Sequence, residues 1–377
     1  MSTITPTTPM VYKIDWLQFT EEGEDDDILT LTDSVALAFF KAIGYDFKQF
    51  EEVPGRYFYE CGLTLGRFFT IYFNNSKNIY TKNTIYFVFT GQGSSDLALK
   101  LAKYFKTDDF SLVWYKFFKL VKEWQLKVTR LDAALDDFEG RLSFAKMERK
   151  LSRREFRSSK RRYKIIHGKS TDGETKGETI YLGSRKKHQH GFLVRFYDKF
   201  AEYKDKGAVV PAVVENVITG AGTHVWQRYE IEIRGDACKN FIEKILGGYS
   251  FGQLYKGLMR NAIEFLKVDR SNKNRAFWPV VDWWEEFLES TEKCSLTSPE
   301  RDLDLGRLLR WIRVAVVPSL HLLQEIGTEK NFDIYELIKS IEVISYAKKQ
   351  ERLRNDVLNM SEDKVKEYIK QFEEGNY

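Results

Sequence analysis

The stretch Phe192-Leu-Val-Arg-Phe-Tyr-Asp-Lys199 alternates apolar and polar side chains, and an acidic stretch of the same kind lies on either side of it in sequence. Upstream runs Thr129-Arg-Leu-Asp-Ala-Ala-Leu-Asp-Asp137, and downstream runs Arg228-Tyr-Glu-Ile-Glu-Ile-Arg-Gly-Asp-Ala-Cys238. A strand turns successive side chains to opposite faces. Arg195, Tyr197 and Lys199 therefore share one face, as do Asp132 and Asp136 on the second strand and Glu230 and Glu232 on the third. If the three strands share a sheet or a cleft, a phenol, several carboxylates and two cations converge. Carboxylates hold a divalent cation, the cation and basic side chains bind a phosphate, and a phenol attacks it. The combination points to a nuclease that joins itself to DNA. A half-buried strand with a solvated outer face explains any one of these segments. It explains three together less well.

With 377 residues the chain can bury a sizeable core and divide into two domains or one domain with a helical appendage. Its longest apolar runs, such as Val314-Ala-Val-Val317, fall far short of the roughly 20 residues that span a bilayer. The N-terminal segment lacks the charged-then-apolar pattern of a secretory signal. Three cysteines, Cys61, Cys238 and Cys294, are odd in number and widely spaced, which suits neither a disulfide framework nor a zinc knuckle. A cytoplasmic protein of a bacterial host cell is expected.

The net charge of +4 says little, but its distribution says more. Between Lys146 and Lys187 fifteen Lys/Arg face five Asp/Glu, an excess of ten that leaves the rest of the chain at −6. Arg153, Arg154, Arg157, Lys160, Arg161, Arg162 and Lys164 form the densest part, followed by Arg185, Lys186 and Lys187. A solvated helix face would carry more interspersed Glu, so this block is expected to contact phosphates.

Along the chain, strands are expected over 11–20, 56–74 (two), 84–90, 128–137, 179–184, 191–197 and 225–234. Helices are expected over 33–43, 95–105, 110–122 and 142–156, with a mobile loop over 169–178. From Lys239 onward the pattern is helical: 239–246, 253–267, 279–288, 300–325 with a break at Pro318, and 333–372. Gly91-Gln-Gly93 lacks the third glycine of a dinucleotide fingerprint and the Gly-Lys-Ser/Thr of a triphosphate loop, and reads as a tight connection. The fold class is α+β: an antiparallel-sheet catalytic domain with flanking helices, then a mostly helical C-terminal region. The boundaries are a disordered tail over 1–10, a nicking and DNA-binding domain over 11–240, and a helical part over 241–377 for origin recognition, dimerisation or partner binding.

The segments Ile14-Asp-Trp-Leu-Gln-Phe19, Phe89-Thr-Gly-Gln-Gly-Ser94, Thr129–Asp137, Thr179-Ile-Tyr-Leu-Gly-Ser-Arg-Lys186, Phe192–Lys199 and Arg228–Cys238 occur in that order. The series resembles the replication initiation factor family: rolling-circle initiators of small plasmids and filamentous phages, and relaxases of conjugative elements. The resemblance covers about Tyr12 to Phe241. It implies nicking of one strand at an origin by a tyrosine that becomes linked to the 5′-phosphate, with later rejoining, a topoisomerase-like reaction. The tyrosine of the family's Arg-x-Tyr-x-Lys segment maps to Tyr197, with Arg195 and Lys199 beside it. Asp132, Asp136 and Glu230 fall on the family's acidic positions, and Glu232 follows two residues later. The resemblance also implies a homodimer and a helicase partner.

The residues support the same chemistry. A phenol with an ordinary pKa near 10 is rarely ionised at neutral pH. Mg²⁺ or Mn²⁺ on Asp132 and Glu230 would stabilise charge on the phosphate or on the departing 3′ oxygen, and Arg185, Arg195 and Lys199 would add charge-assisted bonds. His188-Gln-His190 is a weaker metal candidate because it sits in a basic turn, and carboxylate ligands favour Mg²⁺ or Mn²⁺ over a softer ion. Tyr181 is the rival nucleophile. The competing functions are a non-catalytic origin-binding protein of the same fold and an RNA-binding protein.

Overall fold

A computed structural model describes residues 10–23, 29–76, 80–81, 83–172, 175–184, 191–205, 225–289, 305–341, 346, 348–358 and 360–374. The expected disordered tail lies outside these residues except for Met10, as do Arg185, Lys186, Lys187, His188 and His190. The chain forms two compact units, Met1–Ser298 and Pro299–Tyr377.

The first unit is built on strands β1 (Met10–Glu22), β2 (Glu51–Pro54), β3 (Cys61–Leu65), β4 (Phe69–Phe73), β5 (Thr84–Phe89), β6 (Lys127–Asp137), β7 (Phe156–Ser158), β8 (Tyr163–Lys169), β9 (Thr175–Leu182), β10 (Phe192–Asp198), β11 (Gln227–Arg234) and β12 (Ile263–Phe265). Ten of them form one antiparallel sheet in the order β2-β3-β4-β5-β1-β6-β11-β10-β9-β8, and β7 pairs with β12 apart from it. The helices are α1 (Val35–Ala42), α2 (Gly91–Phe105), α3 (Phe110–Glu123), α4 (Phe144–Ser152), α5 (Lys199–Asp205), α6 (Asp236–Leu246), α7 (Phe251–Ala262) and α8 (Asp282–Leu288).

Alternation decides which face carries the core. Leu17, Phe19, Phe87, Phe89, Leu131, Leu135, Val194, Phe196, Ile231 and Ile233 are buried together with Trp114, Phe117 and Phe118 of α3, Phe241 of α6 and Trp284 of α8. Each such side chain contributes about 1.5–3 kcal/mol on burial, which holds these helices to that one face. Ser34 caps α1 by accepting from Leu37 N–H, and Glu21 takes the N–H of Val35 and Ala36. Ser250 and Gln253 form a reciprocal capping box on α7.

Several expectations change. Gly91-Gln-Gly93 is the first turn of α2 rather than a connection; a Cβ on Gly93 would come within 1.9 Å of the Phe68 carbonyl, so only glycine lets that turn approach β4. The helix expected over 142–156 stops at Ser152, and the basic residues after it run into β7 and β8. In the stretch expected as a mobile loop over 169–178, Lys169 and Thr175–Glu178 belong to β8 and β9, with Lys169 opposite Thr175 and Gly177 opposite Gly168. The helix expected over 253–267 ends at Ala262, and Ile263–Phe265 pair with β7.

The division expected after residue 240 instead falls within the first unit. Tyr255 of α7 donates to the Tyr229 carbonyl at 2.8 Å, and Trp284 of α8 packs against Phe196, so both helices complete the sheet's core. The second unit has α9 (Leu305–Trp311), a π-helical turn (Ile312–Val316), α10 (Val317–Lys330), α11 (Ile334–Ser340), α12 (Lys348–Leu358) and α13 (Glu362–Glu374). The interruption expected at Pro318 lies just before it, as the π-helical turn, and Pro318 sits in the first turn of α10, where a missing N–H costs nothing. Within this unit Arg313 donates to the Glu373 carbonyl at 3.0 Å.

Candidate active site

The sheet face opposite the core collects the charged side chains. Register sets them in cross-strand rows. Tyr197 of β10 lies opposite Arg228 of β11, which lies opposite Asp136 of β6. In the next row Lys164 of β8, Tyr181 of β9, Arg195, Glu230 and Ala134 follow one another. In the third, Leu193, Glu232, Asp132 and Trp16 are aligned. The three quoted segments thus lie on neighbouring strands, with β11 between β10 and β6.

Tyr197 is 6% exposed, and its hydroxyl donates to Glu230 Oε2 at 3.1 Å. Arg195 donates to the other oxygen of Glu230. The Arg195 guanidinium and the Lys199 ammonium lie over the Tyr197 ring, 5.2 and 5.4 Å from its centroid. Burial, reinforced by the Glu230 carboxylate, pushes the phenol well above its ordinary value, while Arg228 and Arg195 pull it back. Lys199 opens α5 rather than continuing the strand. It pairs with Glu202 at 2.7 Å, and burial, with Arg228 nearby, lowers its pKa.

Each acid expected at the metal has an arginine. Arg130 Nε donates to Asp132 Oδ1 at 2.8 Å, and Arg234 Nε to Glu232 Oε1 at 2.7 Å. Arg228 holds Asp136 through two bonds, at 2.5 and 2.8 Å, and reaches Asp15 Oδ1 at 2.5 Å. All four acids are thus in ion pairs, and Asp132 in addition lies close enough to Glu230 and Glu232 to feel their charge. Burial, then the Glu230 charge, raises the Asp132 carboxyl well above its usual range against the pull of Arg130, and Glu232 adds to the rise. Among the described residues no group of three or more His, Cys, Asp or Glu is disposed to hold a metal ion. Mg²⁺ and Mn²⁺ do not need such a cage. Mg²⁺ commonly takes one or two carboxylates, with water and substrate phosphate completing its shell. Crowded oxygen donors of like charge fit that requirement.

Asp15, Arg130, Arg228 and Arg234 were missed in the sequence. Arg228 was within reach, because its parity in Arg228-Tyr-Glu230 puts it on the face of Glu230. Asp15 was not: β1 shifts register between Ile14 and Trp16, and this irregularity lets the carboxylate meet Arg228. Although burial raises the Asp15 carboxyl, Arg228, Lys13 and Lys199 hold it well below the usual range.

The basic block surrounds the outer strands. Arg153, Arg154, Arg161, Arg162 and Lys164 are exposed, and Lys164 sits on the edge strand in the row of Arg195. Arg157 pairs with Glu264 at 2.6 Å. Lys160 is half-buried with its ammonium 3.3 Å from the Phe192 ring centroid, and burial pushes its pKa down to about 8. A cavity of about 530 Å³ lies elsewhere, lined by Tyr45, Phe68, Gln92, Gly93, Asp96 and Lys100 among others; it contains none of the expected site residues.

Residues 126–338 match the family model described as replication initiation factor. The match runs past Phe241, into helices where the sequence alone carried no recognisable family feature. A protein that carries the name DNA relaxase NicK in Bacillus subtilis (strain 168) is 24% identical over 240 residues, which is 63% of this chain. The chain spans 64% of that relative's length. The structure of a rolling circle replication initiator protein from Geobacillus stearothermophilus is 26% identical and superposes with a TM-score of 0.57, covering 76% of this chain and 98% of that one. Among the described residues no helix is long and apolar enough to cross a membrane.

Proposed function

The chain belongs to the replication initiation factor family, and on that premise we propose that it nicks one DNA strand at an origin and later rejoins it, as a rolling-circle initiator or relaxase. The observation that carries this reading is the Tyr197 hydroxyl on Glu230, flanked by Arg195 and the crowded acids on one sheet face. The Tyr197 oxygen attacks the scissile phosphorus, in line with the 3′ oxygen that leaves. A phosphotyrosyl ester forms at the 5′ end as the bond to the 3′ oxygen breaks. Glu230 is the acceptor in place for the phenol proton, and the departing oxygen takes up a proton to become a 3′-OH. The ester keeps the phosphodiester's energy, so the same 3′-OH can reverse the step.

One or two of Asp132, Glu230 and Glu232 would hold Mg²⁺ or Mn²⁺, which when bound supplies positive charge for the phosphate oxygens. Arg195 and Lys199 cover the Tyr197 ring, and their turning onto the phosphate both opens the phenol and grips the substrate. Arg228 stays behind, neutralising Asp136 and Asp15 beside the phenol. The exposed arginines of 153–162 and Lys164 would neutralise flanking phosphates, and Arg185, Lys186 and Lys187, which lie outside the described residues, extend the same block in sequence. The helical C-terminal residues are proposed for origin recognition, homodimerisation or contact with a helicase.

A second reading has one observation in its favour. Tyr181 is less buried than Tyr197 and stands in the row of Arg195 and Glu230. Supercoiled plasmid carrying the cognate origin, incubated with Mg²⁺ or Mn²⁺, separates the two. The expected result is relaxation with a protein–DNA adduct that Tyr197→Phe loses and Tyr181→Phe keeps. The reverse pattern transfers the role to Tyr181, and origin binding without an adduct under either metal leaves a non-catalytic binding protein.

A further inference from the structure

The open face does not end at the charged rows. It continues across β1 onto β5, β4 and the loop before β3, and there it is aromatic. Tyr59, Tyr72, Tyr86 and Val88 form a cluster of their own, with Trp16 packed against it. Tyr59 and Tyr86 are stacked, 5.9 Å apart at 8°, and the Tyr59 hydroxyl bonds Thr84 Oγ1 at 2.7 Å, so the floor of the patch is held in place.

The loop from Gly55 to Glu60 folds over this floor by an unusual path. Tyr57 and Phe58 are both left-handed, with φ of 58° and 71°. Bulky residues rarely adopt that conformation, and it costs on the order of 1–3 kcal/mol at each position. A Cβ on Gly55 would meet the Tyr59 carbonyl at 1.9 Å, so glycine alone permits the loop's return. The strain does not serve burial: Tyr57 remains 55% exposed and Phe58 73%. Tyr57 stands edge-on to Tyr72 and Tyr86, at 5.7 and 5.4 Å, and Phe58 stacks on Tyr80 at 5.4 Å. The turn thus holds two aromatic rings out to solvent above a rigid aromatic base.

Cations border the patch and connect it to the acids. The Arg130 guanidinium lies over the Trp16 ring at 4.5 Å while its donors hold Asp132. Arg234 and Arg56 lie near enough to Tyr86 and Tyr72 to favour their ionised forms, although burial dominates and raises both phenols. From β10 to β4 the sheet takes five steps of about 4.8 Å each, roughly 24 Å.

Aromatic faces for bases, with arginines beside them for phosphates, are what a single strand requires. A duplex keeps its bases stacked on one another and offers them no ring. We propose that Tyr57 and Phe58, held up by the floor of Tyr59, Tyr72 and Tyr86, are a stacking platform for the unpaired DNA bases that flank the nick site. The platform rests on the nicking function proposed above, because that function brings a single strand onto this face. Stacking tolerates any base, so the platform gives reach and grip rather than sequence choice.

Binding is read by fluorescence anisotropy in the full-length Tyr197→Phe protein, so that strand cleavage does not enter. The probes are a single-stranded oligonucleotide of origin sequence, the same strand with abasic sites, and the corresponding duplex. Stacking is worth about 1–3 kcal/mol per base, or about 5- to 150-fold in affinity. The Tyr57→Ser and Phe58→Ser pair is expected to weaken single-strand binding by at least that much for one base. Wild-type side chains at 57 and 58 should prefer the intact strand over the abasic one, and the serine pair should lose this preference. Equal affinity for intact and abasic strands overturns the platform, whether or not the serine pair folds. So does a folded serine pair with undiminished single-strand affinity, or loss confined to the duplex. An adduct that survives Tyr197→Phe refutes the nucleophile alone and leaves this result standing.

Discussion

Replacing Arg228 by leucine removes the cation that the buried Asp136 and the half-buried Asp15 share. The guanidinium is 3% exposed, and it meets Asp136 and Asp15, whose side chains are 8% and 13% exposed. Breaking a buried ion pair from one side costs about 3–5 kcal/mol, because the remaining charge is left without compensation. At about 2–4 °C per kcal/mol for a domain of this order of size, the melting temperature should fall by roughly 6–20 °C at pH 7.

The pH dependence has a definite sign. In the native protein the folded Asp15 carboxyl lies below its unfolded value, so its contribution is intact at neutral pH and is lost as pH falls below the ordinary carboxylate range. Without Arg228 the leading favourable charge is gone and the burial that opposes ionisation stays. The folded value rises, and the variant regains stability as pH falls from 7 towards 4. The gap between variant and parent should therefore narrow on acidification. Adding Asp136→Asn should recover part of the loss, since removing both partners costs less than removing one. The measurement is thermal unfolding followed by near-ultraviolet circular dichroism at pH 4, 5, 6 and 7. A melting temperature within about 2 °C of the parent at pH 7, or a gap that widens in acid, refutes the shared-cation arrangement.

Other expectations follow from the same face. Tyr197→Phe should lose the DNA adduct yet cost only about 0.5–3 kcal/mol of stability, the range for one hydrogen bond to a neutral or charged partner; chemical denaturation checks the second half. Asp132→Asn removes one of three crowded carboxylates, so Mn²⁺ affinity measured by calorimetry should fall at least ~10-fold with little loss of melting temperature. Retained affinity would move the metal elsewhere. Burial holds Lys160 at about 8 against an ordinary 10.5, and the unfolded chain binds more protons between these values, so its effect on stability becomes more favourable as pH rises through them. In the folded protein its charge toward DNA is lost around pH 8, and DNA affinity at fixed salt should decline between about pH 7 and 9 in the parent but not in Lys160→Arg. If the basic block neutralises six to ten phosphates, affinity should fall by roughly 10³–10⁵ between 50 and 200 mM salt, and a flat response would remove the block from the interface.

What the sequence determined by itself was local. Period-two alternation put Asp132 with Asp136, Arg195 with Tyr197 and Glu230 with Glu232, because side-chain direction in a strand depends only on parity. The same alternation, read for apolar residues, assigned one sheet face to the core. The helix starts expected at 33 and 253 fall within two residues of those at Val35 and Phe251, since the signals that start a helix act within a turn. Pairing across strands was not. Arg228 and Asp136 are 92 residues apart and Arg228 and Asp15 are 213 apart, and nothing within either segment encodes the register that joins them. That register is set by burial of the opposite face, where a one-residue slip would turn every core side chain to solvent. Tertiary structure therefore decided which arginine pairs with which acid, that Asp132 lies close to Glu230 and Glu232, and which phenol meets a carboxylate. It also decided that the acids and the tyrosine patch on β4, β5 and the loop before β3 share one open surface, because β1, first in the chain, is inserted between β5 and β6.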